Sequence, residues 1–197
     1  MALDTKTLLN KIHEQFSGVP YPGDDHIVIE NSGAHLECQD IINTLKGLHW
    51  KDIPFELLTQ LQSALFFLTP EGYRFFMPAF MVYSVKDFYG ADTIPDEVIQ
   101  TLTYPEKLDL DRIRGMAKHH TELQTLHADE WQHIINRLAK TYDEGSVQRL
   151  FLQRVSGFDT AQSRVIRQFL EYLQDTYGEE FPDHEPKVAI ERYWYQF

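Results

Sequence analysis

The segment from Thr69 to Phe88 constrains this chain more than any other. Thr69-Pro70-Glu71 reads as a helix start, with Thr69 as N-cap, Pro70 at the first helical position and Glu71 in the favourable first turn. From Tyr73 to Phe88 apolar residues wrap most of the helix circumference, which predicts a central, buried helix rather than an amphipathic one lying on a surface. Pro78 cannot donate to the Arg74 carbonyl, so a kink or a split is expected there. The dense stretch Ala64 to Val85 is broken by Thr69, Pro70, Glu71, Arg74 and Pro78, and nothing in the chain approaches the ~20 apolar residues that span a bilayer. No membrane association is expected.

Around this element the apolar spacing is helical. Leu8, Leu9, Ile12 and Phe16 mark a helix from Thr5 to Phe16, and Cys38, Ile41, Ile42 and Leu45 mark another from Leu36 to Leu45 that stops at Gly47. Leu58, Leu61, Leu65 and Leu68 predict one helix over Phe55 to Leu68, to form a hairpin with 70–88. In the second half, Trp131, Ile134, Ile135, Leu138 and Tyr142 suggest a helix from His127 to Gly145. Ala161, Val165, Ile166, Phe169, Leu170 and Leu173 suggest another, capped by Asp159 or Thr160, and Pro186 opens a last short helix that carries Tyr193 and Trp194. Residues 90–126 carry the weakest signal, short proline-initiated helices at most. The turn Val19 to His26 is stiffened by two prolines, and Ile27-Val28-Ile29 reads as one minor β element. The expected fold class is all-α, a multi-helix bundle in which residues 1–197 form a single helical domain.

Composition narrows the function classes. The 197 residues carry 18 Lys+Arg against 30 Asp+Glu, a net charge of −12, and the first hundred positions hold 14 of the acids and 6 of the bases. Such a balance repels phosphate, so no nucleic-acid binding is expected. Either the charge serves solubility alone or it suits a basic protein partner. One cysteine, Cys38, excludes an internal disulfide and suits a reducing compartment. The start MALDTKTLLNKIHEQF has no apolar signal-peptide core, and a cytoplasmic protein is expected.

No glycine-rich phosphate loop, G-x-S-x-G, H-E-x-x-H or C-x-x-C occurs. The chain therefore leans away from an enzyme, and catalytic residues are unassigned. Three constellations remain. His119, His120, His127 and Glu130-x-x-His133 suggest a metal, but a di-iron bundle needs a second E-x-x-H pair that the chain lacks, so solvated helix faces are the preferred reading. Asp24, Asp25, His26, His35 and Cys38 offer carboxylate, imidazole and thiolate ligands for a divalent cation such as zinc if the chain reverses at Asn31-Ser32-Gly33, whereas the plainer reading is a turn, a cap and a buried thiol. Arg74, in a nearly all-apolar helix, needs a partner, for which Glu71 is one turn away. Together with Trp50 these form a candidate ligand or partner site, against a structural ion pair in a kinked core helix.

The motifs P-Y-P-G-D-D-H-I-V (20–28), L-E-C-Q-D-I (36–41), K-G-L-H-W (46–50), L-x-F-L-T-P-E-G-Y-R-F-F-M-P-A-F (65–80) and F-D-T-A-Q with I-R-Q-F-L-E-Y-L (158–173) resemble an uncharacterised, largely bacterial family of unknown function. The resemblance implies no activity and no cofactor. It marks the Asp24/Asp25 turn, Cys38, Trp50 and the Thr69 to Phe80 helix as the family's defining features. Two functions follow as expectations: an immunity-like or inhibitor-like binding protein that masks a basic protein, or a metal-binding protein or metal-dependent enzyme using the 24–26 and 35/38 residues.

Overall fold

A computed structural model describes residues 3–61, 63–119 and 133–197, with side chains of 114–119 left out. Among them the protein is all-α, with no sheet or barrel. The described residues gather into two compact units, 1–103 with 154–197, and 104–153.

The first unit is organised by α5 (Pro70–Lys86), with α1 (Thr5–Phe16), α2 (Leu36–Leu45), α3 (Phe55–Leu58), α4 (Ala64–Phe67) and α6 (Ile94–Leu102) ahead of or after it in the chain. Thr69 caps α5 by accepting from the Gly72 N–H. From Tyr73 to Val85 every residue except Arg74 is buried, as all-round apolarity requires. Helices α1 and α6 pack against it. The helix runs through Pro78 without the expected split. α10 (Thr160–Tyr177) packs on α1, and α11 (Glu185–Arg192) on α10 and α6. Asp159 and Gln162 form a reciprocal capping box at the start of α10. Tyr193 and Trp194 follow α11 rather than lying within it, and Trp194 donates to the Leu102 carbonyl at 2.7 Å.

The second unit holds α7 (Lys107–His119), α8 (residues 133–143) and most of α9 (Ser146–Val155). Within it Lys107 pairs with Asp143 at 3.0 Å, Tyr104 meets Phe151 edge-on at 5.4 Å, and Gln148 donates to the Pro105 carbonyl. The 13-residue α7 is longer than the sequence pattern suggests. His120, His127, Glu130 and Trp131 of the histidine and tryptophan readings lie outside the described residues.

A further expectation fails in the first unit. The single helix over Phe55 to Leu68 is two short helices, α3 and α4, and there is no hairpin of two long ones. Ser63 sits in the left-handed region at φ 69, and its N–H donates to the Glu97 carboxylate at 2.8 Å. A charge-assisted bond from a distant helix thus replaces the local helical one.

Candidate functional site

The expected β element forms, but as half of a clasp. Val28 pairs with Leu68 in an isolated antiparallel bridge, Ile29 N–H donates to the Phe67 carbonyl at 2.8 Å, and Thr69 N–H to the Ile27 carbonyl at 3.0 Å. The Thr69 hydroxyl donates to the His26 carbonyl. Gly72 is required here: a Cβ would stand 3.2 Å from the Ile27 carbonyl carbon and closer still to its oxygen. The segment 20–28 is therefore a strap whose backbone is docked on the first turn of α5. Two of the sequence motifs are the two halves of one structural device.

Within the strap, Gly23 (φ 88) opens a 3-10 turn over Asp24–His26. Tyr21 donates to Asp24, accepts from the Gly47 N–H at 2.9 Å, and meets the Phe75 ring edge-on at 5.3 Å. Asp24, Asp25 and His26 are exposed. His35 is exposed with its ring 5.2 Å from Phe67, and Cys38 is fully buried. Burial, reinforced by the Glu30 charge, pushes the Cys38 thiol above its ordinary range, which disfavours the thiolate a metal would need. No group of three or more His, Cys, Asp or Glu among the described residues is arranged to hold a metal ion.

The second candidate set is dispersed as well. Glu71 is exposed and forms no ion pair with Arg74 among the described residues. Arg74 lays its stem on Gly157, where a Cβ would lie 3.2 Å from its Cδ, and donates from Nη2 to Gln162 Oε1 at 3.3 Å. Gln162 in turn donates to the Gln15 carbonyl at 3.0 Å, so Arg74 belongs to a cross-link joining α5, α10 and the end of α1. Trp50 is buried, with His13 stacked 5.2 Å away and the Lys51 ammonium 5.4 Å from its ring centre. Burial, and then the Lys51 and Lys86 charges, hold His13 below its ordinary pKa.

Three features escape sequence reasoning. Arg154, only 5% exposed, donates to the Phe66 carbonyl at 2.6 Å and lies over the Tyr73 ring at 5.5 Å, with no carboxylate paired to it among the described residues. Burial pushes the Tyr73 hydroxyl, which donates to Thr101, up to about 12. The second feature is Glu97, whose only sequence mark is its place in a helical segment. Third is a cleft of about 460 Å³ between the chain after α5 and the end of α10, lined by Tyr89, Gln174, Asp175, Tyr177, Glu179 and Glu180 among others. The acidic loop 178–185 signals part of it, but Tyr89 comes from far away in sequence.

The Tyr177 ring is stacked on Phe88 at 3.9 Å and 7°, while Tyr89 stands nearly perpendicular to it at 6.2 Å and 84°. Tyr89 donates to Glu180 at 3.0 Å, and this bond raises its pKa. The cleft thus has an aromatic corner and carboxylates around it, an arrangement that recognises cations.

No curated protein and no solved structure matches the chain. A family model covers residues 4–197, nearly the whole length, and the chain belongs to the family described as "Family of unknown function (DUF6714)".

Proposed function

We propose that this chain is a small acidic binding protein, of the immunity or inhibitor kind, that masks a basic protein partner in the bacterial cytoplasm. The observation that carries the reading is where the acidic surplus lies. Asp24, Asp25, Glu37, Asp40, Asp52, Glu56 and Glu71 are all exposed, and none is held in an ion pair among the described residues. Over the same 20–71 stretch the chain has two lysines, and one of these, Lys51, lies over Trp50. Carboxylates left without internal cations leave the protein's field uncompensated, which speeds encounter with a positively charged surface.

Affinity capture from the native cell at low and high salt tests the reading, followed by reconstitution with the purified partner. A basic protein held at low salt, and rebinding faster as ionic strength falls, is the expected result. Recovery of the chain alone at both salts overturns it.

A further inference from the structure

We infer that the cleft at the end of α10 is a receptor for a single arginine side chain, an inference that rests on the basic-partner reading and gives it an anchor point. Four independent observations converge. The cleft lies at the C-terminus of an 18-residue helix, where the last carbonyls carry the negative end of the helix dipole. Among the described residues its lining supplies the carboxylates of Asp175, Glu179 and Glu180 and no lysine or arginine; His184 is the one basic residue there.

Its rings are placed for a flat cation. Tyr89 is 72% exposed, and its bond to Glu180 holds the ring close to perpendicular to Tyr177. One Tyr177 face is taken up by Phe88. A guanidinium stacks on such a phenol ring while its fork of donors reaches flanking carboxylates, a geometry an ammonium cannot match.

The fourth observation is the space itself. The volume of about 460 Å³ falls inside the range of about 300–1,000 Å³ typical of small-ligand sites.

The test is an NMR titration of the full-length, 15N-labelled chain with the peptide acetyl-Gly-Arg-Gly-amide, with the citrulline peptide as its uncharged isostere. Saturable shifts confined to the amides around 89 and 174–184 are expected with the arginine peptide and not with citrulline. Glu179→Gln/Glu180→Gln should weaken binding about tenfold or more, the order expected for losing two carboxylate partners of a guanidinium. Should that pair disturb the helical circular dichroism, Asp175→Asn and Tyr89→Ala separately provide the same reading.

Equal shifts from citrulline, shifts spread over the carboxylates of 24–71, unchanged affinity in the folded variants, or no saturable shift up to about 10 mM, ten times a millimolar Kd, would each overturn the cleft as the arginine site. The two readings fail separately. A captured basic partner that binds the cleft variants as tightly as the wild type removes this site and leaves the proposed function. An arginine peptide seated in the cleft with no basic protein captured does the reverse.

Discussion

Replacing Gly72 by Ala probes the strap directly. In a free helix the change would stabilise by up to about 1 kcal/mol. Here the new methyl meets backbone, the Ile27 carbonyl, rather than the end of a flexible side chain. Restoring an ordinary C···O separation of about 3.3 Å requires the strap to retreat by about 1 Å. That retreat lengthens the Thr69-to-Ile27 bond from 3.0 Å and the Ile29-to-Phe67 bond from 2.8 Å past bonding range. Two such bonds contribute about 1 kcal/mol each, and forced repacking of the fully buried Ile27 adds an overpacking cost of about 1–3 kcal/mol. After the helix gain is subtracted, a net loss of about 2–4 kcal/mol is expected, or about 4–16 °C in Tm for a chain of this size. Urea unfolding followed by circular dichroism measures it, as a lower midpoint at unchanged slope. Gly18→Ala is the control, because nothing lies within 4 Å of its added Cβ. If Gly72→Ala is as stable as the control or the wild type, the strap is not docked on α5 as described.

Three further outcomes are expected. Burial raises the folded-state pKa of Glu97, so its contribution is favourable at low pH and is lost as pH rises from the ordinary Glu range through the folded value; Glu97→Gln should remove that slope, and a wild-type-minus-variant stability difference that is flat from pH 4.5 to 7 would contradict it. Arg74→Met keeps the stem against Gly157 and gives up one 3.3 Å bond, so thermal unfolding should register a loss of about 1 kcal/mol or less with partner affinity unchanged, whereas lost affinity at unchanged stability would make Arg74 a contact residue. Added zinc should leave the melting temperature where it is, because Cys38 is buried as a thiol and His35 rests on Phe67; a rise that grows with zinc concentration would return the Asp24, Asp25, His26, His35 and Cys38 set to consideration.

What the sequence made legible is what neighbours along the chain decide. The bounds of α1 and α2, the Thr69 cap with Pro70 behind it, and the Asp159 cap all follow from apolar spacing and end chemistry within a few residues. The break between α3 and α4 was hidden because the group that holds Ser63 in a left-handed conformation, Glu97, lies 34 residues further on. For the same reason the sequence offers Arg74 only the local partner Glu71, while in the folded chain it turns to Gln162, 88 residues away. The motif residues 20–28 and 65–80 were visible as a pattern, yet their meaning lay in a backbone pairing that no side-chain period encodes. The cleft joins Tyr89 to Glu180 across 91 residues, so the acidic loop announced its charge and not its aromatic wall.

The claim that matters most is that uncompensated surface carboxylates exist to meet a basic protein. The decisive measurement is the stopped-flow association rate of this chain with its purified partner across a salt series. The rate should fall steeply, by about tenfold or more, as ionic strength rises through the range where the Debye length shrinks from about 30 Å to about 8 Å, with dissociation changing less. An association rate indifferent to salt would contradict it.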